Sequence, residues 1–456
     1  MSLQFIIPGV YVLSLLGIAW WSSKQIKGEA DYLVSGRQGG LLAVTGSLLA
    51  TILGSSAVLG SVNLVAIQGW AAIWLLLSGA AGLLFLVPLS SRVQAFRVYT
   101  FPEMMNKLYG PKAARLATFL IPLAWTGIIA AQLIGAAKVM AAFLPVSYFQ
   151  ALYTSAFIIL VYTLLGGQKS VLKTDSFQVG IILLGVGLLV YYLSQYQGNM
   201  QDVSIKPFPF NEAFTPLDLL VLAGTYATTY LVGPDVYSRL FCAKDGKTAK
   251  YAVGLTALLM IPVAIGLGYI GAEAVRILPD ASGKTQANII LIMKVVMPIW
   301  ASGLLLAALW SVVMSSADTT LLSAAAILSL IRGTKTARLS RLQKCRIWVI
   351  ITGLFATLIA GIYPSIIGTL LLAMAVFSGG FIIPTLVGLL GIQLPEKRVI
   401  LAILTGAFTA LVGKLISISG YTDLGNSIIL SAFILNAIIL FWPYGRKHPP
   451  FSQSTG

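Results

Sequence analysis

The sequence predicts an all-α integral membrane protein of about thirteen transmembrane helices, and three observations carry that prediction. Hydrophobic residues fill 58% of the 456 positions and charged residues only 10%, with a mean hydropathy of +0.90. Globular proteins carry about 25% charged residues. Apolar runs exceed the roughly 20 residues that cross a bilayer as a helix again and again. The Lys and Arg behind the net charge of +16 sit in short loops between those runs. That is a mark of membrane orientation, and nucleic acid is not expected as a partner.

In order, the spans run approximately 3–21, 41–68, 70–90, 116–141, 147–166, 174–195, 216–238, 250–272, 298–330, 346–363, 365–391, 398–418 and 426–443. The first lacks a basic leader and a small-residue cleavage site, so it is expected to be retained. Loops after spans 1, 3, 5, 7, 9 and 11, with the tail, hold most of the basic residues, among them Lys24, Arg92, Arg97, Lys107, Lys173, Arg239, Lys244, Arg341 and Arg346. Lys206, Arg276 and Lys284 fall on the other side, while Lys138, Lys294 and Lys414 lie near span ends, where they can snorkel. The N-terminus is therefore expected outside and the C-terminus in the cytoplasm, in a bacterial-type plasma membrane. Cys242 and Cys345 both neighbour cytoplasmic loops, so no disulfide is expected. The single histidine, His448, lies in the tail and excludes a histidine-based metal site.

Span 2 carries Gly46, Gly54 and Gly60 around the run Gly54-Ser55-Ser56. Such glycines either pack helices closely or interrupt the helix near Gly54 and free carbonyls for a cation. Span 7 is interrupted at Gly233-Pro234 and holds Thr225, Tyr226, Thr228 and Thr229. Two interrupted segments five spans apart fit inverted five-helix repeats, spans 2–6 (41–195) and 7–11 (216–391). Residues 1–40 and 398–443 are then peripheral, and 444–456 form a tail of one membrane domain. Between spans, Tyr99-Thr100-Phe101-Pro102-Glu103 predicts a helix start along the cytoplasmic face. Gly166-Gly167 ends span 5. Asp175, taken alone, is expected to be an N-terminal acid of span 6, favoured by the helix dipole.

Span 9 contains LLLAALWSVVMSSADTTLLSAAAIL, residues 304–328. Ser311, Ser315 and Thr319 share a helical stripe with Asp318 beside it. A carboxylate in hydrocarbon costs several kcal/mol, so it is expected to face a partner or a polar cavity. Hydroxyl and carboxylate oxygens suit a small hard cation, whereas hydroxyls alone merely bond back to their helix or glue neighbours.

Six stretches together resemble the sodium/solute symporter family. They are Tyr32-Leu33-Val34-Ser35-Gly36-Arg37, Tyr99-Thr100-Phe101-Pro102-Glu103, Gly166-Gly167-Gln168-Lys169-Ser170-Val171 leading to Thr174-Asp175, Arg239-Leu240-Phe241-Cys242-Ala243-Lys244, Met314-Ser315-Ser316-Ala317-Asp318 and Phe377-Ser378-Gly379-Gly380-Phe381. The resemblance implies the five-plus-five fold and a sodium site made by the carbonyls of Ala50, Leu53 and Val312 with the hydroxyls of Ser315 and Ser316. It also implies a second cation site at Asp175, Asp318 and Thr319, for sodium or a proton. The solute pocket would lie between spans 2, 3, 4, 7 and 11, with Ser55, Ser56, Gln132, Thr228, Thr229 and Ser378 as polar groups. Ala57 stands where sugar-binding relatives place a glutamine, and span 4 shows no mid-span Arg, which counts against sugars and sialic acid. A pocket of hydroxyls and an amide without a buried cation suits a small, modestly polar solute.

The expected function is sodium-coupled import of a small organic solute by alternating access, with Na+ as the coupling ion, the bilayer as surroundings and a functional monomer. The solute would be an amino acid, carboxylate, vitamin or similar compound. Proton coupling through Asp318 or Asp175 is the alternative. A transporter-like sensor is disfavoured because no signalling domain follows the spans. Enzymatic activity is disfavoured because no nucleophile–His arrangement, HExxH or phosphate-binding loop occurs.

Overall fold

The computed structural model describes residues 3–278, 288–331 and 339–442. Lys284, His448 and the 444–456 tail lie outside them. Among the described residues the chain is almost wholly helical, and ten helices are long and apolar enough to cross a membrane. The count of thirteen crossings depends on how the interrupted and folded-back segments are divided.

Span 1 is Leu3–Ser23 and span 3 is Trp74–Ala95. Span 2 is broken where glycine was expected to break it. Leu41–Ile52 is helical, Leu53 leaves helical geometry at φ −76°, ψ 54°, and the chain resumes through a π turn at Ser56–Gly60 before Ser61–Gln68. Span 7 has a matching π turn at Ala223–Ala227, between Pro216–Leu222 and Thr228–Val232. Its Gly233-Pro234 break lies beyond that turn, at the end of the crossing. Pro234 favours extended backbone at the preceding residue, and Gly233 sits at ψ 137°. A separate buried helix, Pro234–Cys242, follows. This corrects the expected end of span 7 at residue 238 and takes Arg239 out of a loop.

Spans 5 and 6 form one helical stretch, Tyr148–Ser194, divided at Gly167, whose φ of 58° suits glycine. Tyr162 and Thr174 would be about 18 Å apart along a straight helix. Instead their hydroxyls are 2.7 Å apart, so the chain folds back at Gly167. Asp175 consequently lies eight residues inside the second arm. The expectation that it opens and caps span 6 is not met.

Span 4 is Pro111–Phe143, span 8 is Gly246–Ile277 and span 9 is Ile299–Leu328. A short helix not anticipated from sequence, Asn288–Val296, joins the last two. Span 9 packs against spans 1, 4, 6 and 10, the last being Arg341–Ile362, and is buried at almost every position. Helices apolar all round belong in such central places. Span 11 (Ile366–Leu389) packs on spans 4 and 12, and spans 12 (Glu396–Ile418) and 13 (Thr422–Phe441) pair on the outside.

The end of the bundle that carries most basic residues is laced together by the motifs singled out above. Arg37 Nη2 donates to the carbonyls of Arg97 and Val98 at 2.8 and 3.3 Å, and Nη1 reaches the Phe241 carbonyl at 3.5 Å. Gly39 N–H donates to Cys242 O and Lys244 N–H to Gly39 O, at 2.9 and 3.0 Å. At the start of the Phe101–Tyr109 helix Glu103 Oε2 accepts the Tyr99 and Thr100 N–H groups at 2.7 and 3.1 Å, and Arg341 holds Glu103 at 2.8 Å. Phe101 packs its ring on Tyr237, Phe377 and Phe381.

Candidate functional site

The break in span 2 faces the hydroxyl pair of span 9. Leu53 and Gly54 stop the helical ladder there, so the carbonyls ahead of the break are offered sideways. Ser315 Oγ lies 3.0 Å from the Ala50 carbonyl, while also 2.7 Å from Ser311 O and 3.4 Å from Val312 O. Ser316 Oγ lies 2.9 Å from Thr51 O and 3.2 Å from Ala50 O. Both serines are buried. Four backbone carbonyls and two hydroxyls thus converge away from lipid, an all-oxygen set suited to a hard cation. Thr51 O joins the expected set. Its signal in the sequence was only its place beside Ala50.

On the other side of Gly54 lies span 4. A Cβ at Gly54 would come within 2.6 Å of Ser316 Oγ and within 2.8 and 2.9 Å of the Gln132 amide atoms. Gln132 Oε1 accepts the Ser55 N–H at 2.8 Å, satisfying a donor freed by the break, and Ser55 Oγ bonds Ala131 O at 3.0 Å. Ser55 and Gln132 therefore meet, with Ser56 buried beside them in the π turn. Thr228 bonds back to Gly224 O, Thr229 to Thr225 O at 2.6 Å and Ser378 to Ala375 O at 3.1 Å. All three leave oxygen lone pairs free. Trp125, seven residues before Gln132 and so on the same helical face, was not anticipated. Its buried indole N–H has no acceptor among the described residues, and its ring meets Phe377 edge-on at 4.7 Å.

A second polar cluster lies one turn towards the basic end. Asp175 accepts from the Ser47 hydroxyl, and its Oδ2 is 3.4 Å from Arg239 Nη2. Arg239 also donates to Thr319 Oγ1, which lies 3.4 Å from Asp318 Oδ1 and 3.5 Å from Thr51 Oγ1. Asp175, Asp318, Thr319 and Arg239 are all fully buried. Asp175 Oδ1, Asp318 Oδ2 and Arg239 Nε have no partner among the described residues. Arg239 corrects the expectation of a loop cation and of an interior without a buried positive charge. The helix after Gly233-Pro234 turns it inward to meet Asp175.

A cavity of about 180 Å³ opens at the opposite end, among spans 2, 3, 7, 11, 12 and 13. Thr225 on its wall is one turn short of Thr228 and Thr229, and none of the six expected solute residues lines it.

The profile of the Sodium:solute symporter family matches residues 32–389, well over half of the chain. The chain belongs to that family. Within it, the chain is 27% identical over 222 residues to the sodium/pantothenate symporter of Haemophilus influenzae, covering 46% of each protein. It is 26% identical over 359 residues to the human high affinity choline transporter 1, covering 70% of this chain and 60% of that one. The match thus spans about half to three-fifths of these relatives' length. A Na+-coupled sialic acid symporter, solved in a substrate-bound outward-open state, superposes with a TM-score of 0.75 at 17% identity, covering 96% of this chain and 98% of the other. That likeness shows the fold. Ten of the described helices are long and apolar enough to cross a membrane, which accords with membership of that family.

Proposed function

We propose that the protein is a symporter that uses inward sodium movement to import a small organic solute. The observation that carries this reading is the meeting of Ser315 and Ser316 with the Ala50 and Thr51 carbonyls at the broken helix. Sodium entering there would take the lone pairs of both hydroxyls and the carbonyls of Ala50, Leu53 and Val312. It would tie span 2 to span 9. Because Gly54 separates Ser316 from Gln132 by no more than a backbone, that movement reaches the Ser55–Gln132 contact directly. Ser55, Ser56, Gln132, Thr228, Thr229 and Ser378 then offer the solute acceptors and donors near the midplane. The lacing of Arg37, Gly39 and Glu103 at the basic end supports an arrangement held closed between those segments. One charge crossing 100 mV supplies about 2.3 kcal/mol to drive the cycle.

The Asp175–Asp318–Thr319 cluster is the candidate second cation station. Two ionised carboxylates against one guanidinium leave one formal negative charge uncompensated, and two carboxylate oxygens lack donors. That balance suits one monovalent cation. Arg239 already holds Asp175 Oδ2, so the open side is Asp318. The basic end is assigned to the cytoplasm from its Lys and Arg, and the protein is assigned to a bacterial-type plasma membrane as a functional monomer. Purified protein in proteoliposomes, with sodium and pH gradients imposed separately and a panel of labelled solutes, tests the reading. Solute accumulation driven by sodium alone is expected; uptake indifferent to sodium overturns it.

A further inference from the structure

The cavity at the end away from the basic loops holds a charge that the sodium and midplane sites do not use. Lys414, on span 12, lines it together with Gln68, Asp218, Thr225, Ser417 and Asn426. Asp218 is already engaged. Its Oδ2 accepts from the Thr215 N–H and hydroxyl at 2.9 and 2.8 Å, and its Oδ1 from the Asn426 amide at 2.9 Å. Lys414 is not. Among the described residues it takes part in none of the four ion pairs. The wall therefore carries one unpaired ammonium, neutral hydrogen-bonding groups and an acid whose two oxygens are turned to its own helix cap and to span 13.

A half-enclosed ammonium with low-dielectric walls concentrates anions. The volume, about 180 Å³, is room enough for a small organic acid. Leu75, Leu371 and Ile429 supply an apolar lining for its carbon chain. Thr225 on its wall lies one turn from Thr228 and Thr229, which are proposed for the solute.

We propose that this cavity captures a small monocarboxylate before it reaches the midplane, with Lys414 as the group that recognises its charge. Spans 12 and 13, outside the two repeats, thereby become part of the solute path. This rests on the transport reading and narrows its substrate class to solutes bearing a carboxylate.

The test does not require transport. Ser417 lies three residues beyond Lys414 on the same cavity wall, and both native cysteines are buried, so Ser417→Cys gives one reachable thiol. Its modification by anionic (sulfonatoethyl) and cationic (trimethylammonioethyl) methanethiosulfonates is timed in full-length protein in proteoliposomes. Lys414→Gln should lower the anionic-to-cationic rate ratio by roughly threefold to tenfold, and Lys414→Arg should keep it. Two- to six-carbon carboxylates should slow modification where their amides and chloride do not. An unchanged ratio in Lys414→Gln overturns the proposal. So does protection by none of the carboxylates, or protection by chloride as strong as theirs, which would mark an inorganic-anion site. Sodium-driven uptake, measured separately, reports on the coupling reading whichever way the labelling falls.

Discussion

Ser316 touches two carbonyls of the broken helix and stands beside Gly54, so its loss should be felt first by sodium. Ser316→Ala is expected to lower apparent sodium affinity about tenfold, since a ligand lost from a dry site finds no water to replace it. Solute affinity at saturating sodium should change far less. Unchanged sodium dependence of uptake would reduce the pair to helix glue. Asp318→Asn removes the open carboxylate of the second cluster, and the charge-to-solute ratio from reversal potentials should fall. A constant ratio at full rate removes Asp318 from coupling. These residues were legible for a physical reason: a carboxylate beside a hydroxyl pair within an apolar span has no cheap explanation in hydrocarbon. Arg239 was not legible. Its neighbours in sequence are those of an ordinary basic loop, and only the turn made by Gly233-Pro234 carries it inside.

Breaks and folds of whole elements followed local chemistry where glycine or proline forced the backbone, and failed where it did not. Gly54 announced the span 2 break, but nothing marked the π turn at 223–227 or the length of the second arm after Gly167. Gly167 carries the reversal at positive φ, and a Cβ there would come within 2.4 Å of the Tyr32 ring. Gly167→Ala should therefore lower the melting temperature and the yield of folded protein in detergent, with a conventional surface glycine such as Gly28, which has open space around it, as control. The Glu396 carboxylate accepts the Lys112 and Ala113 N–H groups at 2.6 and 3.1 Å, capping span 4 from the start of span 12. Glu396→Ala should cost about 1–2 kcal/mol in thermal unfolding and leave sodium affinity alone. A shift in sodium affinity would contradict that division between scaffold and site.

For the molecule as a whole, orientation is the expectation to test first. A cysteine at exposed Ser204 should react with an impermeant thiol reagent in intact cells, and one at exposed Lys112 only after the membrane is opened. The reverse pattern would invert the topology. Buried Cys345 reports on neither side. Thirteen apolar runs and a Lys/Arg asymmetry made the bundle readable as a whole, yet the convergence of four separated motifs at one end was not. Each looked like a separate local signal, and only folding brings Arg37 to the carbonyls of 97, 98 and 241. That clasp also sets a clock. If the proposed symport releases its solute at the basic end, the contacts of Arg37, Gly39 and the Phe101 ring stack would have to part together, as one cooperative event. Turnover should therefore fall steeply on cooling, while sodium and solute still bind in the cold.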